Sequence, residues 1–348
     1  MRPTRSRPCD LDPLCLQERT PAMILDRRQA ISTGLVATAA TTLLPASAMP
    51  VAAQDAATSG QPPAFYRIKV GGIEVIRVHD GVAARPLDAS FVKNAELADV
   101  QAALAAAFQP TDKVVIPFTT TVVRTPQHTV LIDTSLGEFG PPTAGAWAKN
   151  LAAAGVDAAK VDLVVISHFH GDHISGMRGK DGTAAFPNAK VMVPEAEWAF
   201  WMDDGQMSRA PEAMQAGFQN VRRVFGPIAT EVAPFTDGQE LVPGLRVMAA
   251  PGHTPGHSVF LVSDGSDQLL VWSDTTNKPE LFVKNPGWQA VFDMDGERAA
   301  ATRLRLLDMA AADRLLVAGY HFPFPATGHI ARDGDSYAYV PVFWQANL

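Results

Sequence analysis

The sequence predicts an α/β (α+β) chain in which two β-sheets pack together beneath helices, and three observations predict it. Paired β-branched runs joined by turn residues occupy positions 66–133, helix and strand patterns alternate from residue 144 onward, and metal-ligand residue types recur just past strand ends. With 348 residues, 47% hydrophobic and 19% charged, the chain can bury a large core, which excludes the disordered and fibrous classes.

Residues 1–22, rich in Arg and Pro, are expected to be disordered or to precede a true start at Met23. Positions 23–53 combine a charged start, Arg27-Arg28, with a mildly apolar Ala/Thr/Leu run and small residues at Ala46-Ser47-Ala48 and Val51-Ala52-Ala53. That is the pattern of a cleaved export signal. The paired arginines resemble a twin-arginine signal, which delivers folded proteins to the periplasm or the exterior. A linker at 54–63 then leads to one expected folded domain, 64–348.

Strand-like runs at 66–70 and 73–78 flank Gly71-Gly72, a hairpin signal, and Asp80-Gly81 is expected to close the second run. An alanine-rich stretch, 94–107, reads as helix, and β-branched runs at 114–124 and 129–133 flank the turn Pro126-Gln127-His128. Farther on, helices are expected at 144–154, 195–202, 211–224 and 297–309, with strands at 163–166, 190–193, 245–249, 259–262, 269–272 and 315–317. No later apolar run approaches the ~20 residues of a membrane span, so no membrane association is expected after signal removal.

Charge and cysteine usage narrow the partners. The formal net charge is −7, and residues 1–53 hold six arginines against four acids, so the remainder stands near −9. Such a chain, lacking a basic stripe, repels a polyphosphate and makes nucleic acid a poor partner. Cys9 and Cys15 both lie upstream of the folded region. Any metal there must be held by nitrogen and oxygen.

The decisive segment is Ser167-His168-Phe169-His170-Gly171-Asp172-His173, directly after the apolar run 163–166. Three imidazoles and a carboxylate buried together each need a partner, and a shared cation satisfies them at once. In extended backbone His168 and His170 project to one side, while Gly171 permits the bend that turns Asp172 and His173 toward a second ion. Further ligand types follow other strands: Pro251-Gly252-His253-Thr254-Pro255-Gly256-His257, Ser273-Asp274-Thr275 and Gly319-Tyr320-His321-Phe322. If those strands run the same way, the loops meet at one sheet edge.

In order and spacing, His-x-His-x-Asp-His at 168–173, Gly-His-Thr-Pro-Gly-His at 252–257, Ser-Asp-Thr at 273–275, Gly-x-His at 319–321 and the early Leu131-Ile132-Asp133-Thr134 resemble the metallo-β-lactamase superfamily over 64–348. The resemblance implies an αββα sandwich with a dinuclear site at one edge. It places His168, His170 and His253 on one metal and Asp172, His173 and His321 on the other, with Asp274 bridging. Seven nitrogen and oxygen donors suit two zinc ions, with manganese, cobalt or iron as other occupants. Such a pair lowers the pKa of a shared water to near neutrality, and Asp172 is implied to orient it and return a proton to the leaving group. His257 and His329 are expected to support the fold or the ligands rather than bind metal, His79 and His128 to lie at the surface or in packing, and Asp80 and Asp133 to tie loops or orient ligand histidines.

The segments 186–189, 197–201, 328–332 and 339–342 look most like the methyl parathion hydrolase and lactonase group, an exported branch, whereas 277–292 departs from it. The likeness implies that Phe139, Trp201 and Phe218 line an apolar pocket for a neutral small-molecule ester or lactone. Fewer than 30 residues follow His321, leaving no expected room for the accessory domains of other branches. The leading expectation is an exported dinuclear hydrolase of lactones and esters with organophosphate triesterase activity. A β-lactam hydrolase is the alternative, weakened because Asp274 stands where well-known di-zinc β-lactamases use cysteine. A metal-binding protein without turnover is the other. A homodimer fits the resemblance, though no interface is legible in the letters.

Overall fold

The computed structural model describes residues 61–348, so the expected leader and most of the linker lie outside the described residues. The first sheet is built in chain order from β1 (Phe65–Val70), β2 (Ile73–Pro86), β3 (Lys113–Arg124), β4 (Thr129–Ile132), β5 (Leu163–Val165), β6 (Lys190–Pro194) and β7 (Ala233–Phe235). Its first four strands pair antiparallel and β4 to β7 pair parallel. The second sheet holds β8 (Glu240–Val242), β9 (Leu245–Ala249), β10 (Ser258–Asp264), β11 (Asp267–Ser273), β12 (Leu316–Gly319), β13 (Thr327–Asp333) and β14 (Ser336–Pro341). Among the described residues seven α-helices intervene: α1 (Leu97–Ala106), α2 (Trp147–Ala153), α3 (Gly171–Ile174), α4 (Glu195–Trp201), α5 (Asp204–Arg209), α6 (Glu212–Phe225) and α7 (Gly296–Ala312).

Strand alternation makes the layers. On the first sheet, Val75, Val123, Ile132 and Val165 face inward and meet Val247, Phe260, Val262 and Val271 of the second sheet. Their neighbours Ile76, Val122, Leu131 and Val164 point the other way, against Leu151 of α2 and Phe218, Val221 and Phe225 of α6. On the far side, Val259, Leu270, Trp272 and Val317 pack beneath Leu306, Leu307 and Ala310 of α7. The order helix, sheet, sheet, helix is thus written in the period-two pattern of the central strands, as the expected sandwich requires.

The fold differs from expectation at one informative point. Asp80-Gly81 does not close β2, which continues to Pro86 through a bulge between His79 and Gly81. Asp80 is buried and its carboxylate accepts from Ser135 Oγ (2.6 Å), Gly145 N (2.6 Å) and Trp147 N (2.9 Å). Gly81 sits at φ 141°, where a Cβ would lie 2.3 Å from the Thr143 carbonyl. Residues that read as a turn instead clamp the loop before α2 onto a continuing strand. The short β7, β8 and α5 carry too few residues for a periodic signal, and the departing segment 277–292 is buried beside α1 around a π-helical turn, Pro279–Val283.

Candidate metal centre

Strand direction brings the ligand loops together. β9 and β11 each pair antiparallel with β10 and so run alike, and β12 pairs parallel with β11. Their ends deliver His253, Asp274 and His321 to one edge of the second sheet, while β5 delivers the 168–173 segment from the first.

Seven donors converge there. His168 Nε2 is 3.2 Å from His170 Nδ1, which is 2.9 Å from His253 Nε2. Asp274 Oδ2 stands 3.3 Å from His253 Nε2 and 3.1 Å from His321 Nε2, and its Oδ1 is 3.3 Å from His173 Nε2. Asp172 Oδ2 completes the second group at 3.6 Å from His173 Nε2 and 3.4 Å from His321 Nε2. Donor separations of this size match the roughly 3.3 Å edge of a tetrahedron with ~2.05 Å ligand bonds. His173 Nε2 and Asp274 Oδ1 are buried with no hydrogen-bond partner, a costly arrangement that a cation relieves. The set fits two zinc ions: His168, His170 and His253 in one cage, Asp172, His173 and His321 in the other, and Asp274 between.

The outer ring nitrogens fix which nitrogen faces inward. His173 Nδ1 meets Asp133 Oδ2 at 2.8 Å, His253 Nδ1 meets Asp293 Oδ1 at 2.9 Å, and His321 Nδ1 meets the Pro117 carbonyl at 2.8 Å. His168 Nδ1 lies 3.0 Å from Ser167 Oγ, whose own proton goes to Asp133 Oδ2 at 2.7 Å. Each contact occupies Nδ1 and leaves Nε2 facing the centre, where it can bind a cation once deprotonated. Tyr320 lays its ring 3.9 Å from that of His173 and donates its hydroxyl to the Asp172 carbonyl (2.6 Å).

The electrostatics separate the histidines. Burial, reinforced by neighbouring imidazoles, pushes His168 and His170 well below the usual range. Burial would do the same to His173, but Asp274, Asp172 and Asp133 together raise it well above. His253, also opposed by burial, is raised to about 9 by Asp274 and Asp293. Burial works against ionising Asp274, yet His321 and His173 hold it well below the carboxylate range.

The centre floors a cavity of about 570 Å³ walled by Ile116, Phe118, Leu136, Phe139 and Phe292, with Arg85, Asn220 and Asn277 as polar lining. A larger groove of about 770 Å³, between α1 and the Pro279–Val283 turn, contains none of the donors. Phe139 lines the site cavity. Trp201 and Phe218 do not: both are buried, their rings 4.7 Å apart in the layer between α4, α6 and the first sheet, with Trp201 Nε1 donating to Glu197.

Two further histidines support the fold or the ligands without joining the donor groups. The His257 ring sits 2.9 Å from the Ala250 carbonyl through Nδ1 and accepts the Asp274 amide at Nε2 (3.1 Å), while its backbone amide donates to the Thr254 carbonyl (3.5 Å). Burial beside His253 lowers it to about 3, so it stays neutral there. His329 meets the Leu315 carbonyl (3.1 Å) from β13 and touches none of the seven donors. Asp293 was not foreseen. It is held by Arg303 Nη2 (3.2 Å) and the Ala290 amide (3.0 Å). The available signal was Arg303 itself, a lone cation in the buried stripe Ala299, Arg303, Leu306, Leu307, Ala310 of α7.

A family described as Metallo-beta-lactamase superfamily matches residues 118–321. An N-acyl homoserine lactonase from Bacillus sp is 25% identical over 168 residues, 48% of this chain and 58% of that protein. One from Bacillus cereus is 24% identical over 155 residues, 44% of this chain and 53% of that protein. The chain therefore spans little more than half the length of these curated relatives. Among solved structures, AidC, a dizinc quorum-quenching lactonase in complex with a product, superposes with TM-score 0.77 at 24% identity, covering 81% of this chain and 98% of that one. The hydrolase AbOPH superposes with TM-score 0.76 at 25% identity, covering 82% and 100%.

Proposed function

Because the chain belongs to the metallo-beta-lactamase superfamily, we propose that it is an exported dinuclear metal-dependent hydrolase of lactones and esters, with organophosphate triesters as a secondary substrate. The observation that carries the reading is the convergence of seven donors, two of them buried and otherwise unpartnered, beneath a largely apolar cavity. Lactonase relatives support the lactone preference, and the superposition on AbOPH supports a broader hydrolase scope.

Two zinc ions held by the seven donors supply, when bound, a water acidified to near neutrality and positive charge for the leaving oxygen. The chain's own groups do the rest. Asp172, with its side chain 23% exposed, is more open to the cavity than Asp274, whose side chain is 3% exposed. It is placed to orient the attacking water and to carry a proton to the leaving alkoxide. Asp274 bridges the cages and holds their spacing. Phe118, Phe139 and Phe292 exclude bulk water and seat an acyl or aryl group.

Export through the twin-arginine route belongs to the same proposal, resting on Arg27-Arg28 and the small residues that follow. A homodimer is part of it as well, with light scattering as its measurement.

The test is a hydrolysis panel on metal-analysed protein: γ- and δ-lactones with short and long acyl arms, aryl esters, aryl phosphotriesters and a chromogenic cephalosporin. Lactone or ester turnover that vanishes on chelation is expected. Full turnover by chelator-stripped protein, or turnover of the cephalosporin alone, would overturn the reading. Replacing Arg27-Arg28 with Lys-Lys should retain the protein in the cytoplasm.

A further inference from the structure

We infer that Glu197 is a positioning residue that sets the distance between the two histidine loops of the first cage; this rests on the dinuclear reading above. Glu197 lies in the first turn of α4, is 0% exposed, and is a ligand in none of the donor groups. Its carboxylate spans the loops. Oε2 accepts the amide of Phe169 (2.9 Å), which sits between His168 and His170, and Oε1 accepts the amide of Gly256 (2.6 Å), three residues after His253. Trp201 Nε1 gives Oε2 a second donor at 2.9 Å. The edge so bridged is the closest in the centre, His170 Nδ1 to His253 Nε2 at 2.9 Å.

Two physical points favour a positioning role over simple core filling. Burying a carboxylate is costly, and Glu197 has no cationic partner within salt-bridge distance among the described residues, so neutral donors compensate it: these N–H groups and the Thr254 hydroxyl beside His253. An apolar side chain could fill the volume but could not accept from both loops. The second point is contact. A Cβ on Gly256 would lie 2.5 Å from the Glu197 backbone nitrogen, so the His253 loop is seated against α4 itself. Contact sets the near limit of that loop, and the shared carboxylate holds it there.

The experiment compares full-length wild type with Glu197→Gln, Glu197→Asp and Trp201→Phe. Gln keeps the shape but turns one acceptor into a donor facing a loop amide. Asp keeps both acceptors on a shorter arm, and Trp201→Phe removes the donor outside the loops. Zinc affinity by chelator competition should fall about 10- to 100-fold for one of two ions in Glu197→Gln, and less in Glu197→Asp. The visible spectrum of the cobalt-loaded Gln variant should shift, while Trp201→Phe keeps both ions and the wild-type spectrum. Folded Gln and Asp variants holding two ions with unchanged affinity and spectrum would overturn the inference. Failure of both to fold even with zinc would also overturn it, making Glu197 a residue of the fold. If Glu197→Gln alone fails to fold, Glu197→Asp decides by the same readouts. Wild type that binds two ions yet hydrolyses nothing would sink the hydrolase reading and leave this inference standing.

Discussion

Titrating zinc into the chelator-stripped chain at pH 7 should expel at least two protons, because the centre contains two imidazoles held protonated by carboxylates. His253, raised to about 9, is protonated roughly a hundred to one at pH 7, and His173 lies well above its usual range as well. His168 and His170, pushed well below, contribute none, and neither does Asp274, already ionised. A ligand must be deprotonated before it binds. The His253 factor alone therefore makes zinc affinity at pH 7 roughly 50-fold weaker than at pH 9. Calorimetry in buffers of different ionisation enthalpy counts the protons directly, and chelator-buffered titrations from pH 6.5 to 9 give the slope. Asp293 donates part of the His253 rise, so Asp293→Asn should reduce the count and flatten the slope. Heats independent of buffer, or affinity falling as pH rises from 7 to 9, would refute the reasoning.

The metal-free chain should itself lose stability as pH climbs. The folded His253 value lies above the ordinary 6.5, so its contribution is complete below 6.5 and disappears as pH passes through about 9, by a few kcal/mol in denaturant melts. The zinc-loaded protein should not follow that trend. Asp274→Ala removes the donor shared by both cages and should cost more than the ~10- to 100-fold in zinc affinity typical of a supporting residue, with lactone turnover falling in parallel. Asp80→Asn, which leaves an amide facing three donors and removes a ligand of neither cage, should cost about 2–3 kcal/mol in chemical denaturation while two zinc ions remain bound. Phe139→Ala should raise KM about tenfold for long-chain or aryl substrates with kcat little changed, since it removes wall area and no donor.

Sequence order carries some of this structure well and some of it not at all, and the difference is physical. His168 to His173 and the later Gly-His, Ser-Asp and Gly-x-His segments were legible because each cluster is short, polar and placed after an apolar strand, where a core residue would otherwise be expected. The sandwich was legible because strands such as β3 alternate their faces residue by residue. Trp201 and Phe218 were misplaced because an aromatic residue carries no mark of whether its helix face turns toward a cavity or a sheet; that depends on the seating of α4 against α6, which is a tertiary fact. Asp80-Gly81 misled for a related reason. The same dipeptide satisfies a turn locally, and only the distant amides of Gly145 and Trp147 make the bulge preferable.

The residues that hold the cages in place form the least legible class, and the reason is general to centres of this kind. A ligand must converge on one point, which limits it to strand ends and short loops, whereas a supporting acid needs only to reach the far side of one ring from any packed element. Asp293 reaches His253 across 40 positions and Glu197 reaches Gly256 across 59. What does survive in sequence is the anomaly such residues create on their own element. Arg303 interrupts the buried face of α7, and it does so because Asp293 must remain charged beneath a histidine. Asp293→Asn should therefore weaken zinc binding, while Arg303→Met, which takes the guanidinium from the Asp293 carboxylate and from the Thr275, Pro286 and Trp288 carbonyls, should cost about 3–5 kcal/mol of fold stability. Equal stability of the Arg303→Met variant and wild type would show that this ion pair does not hold the histidine.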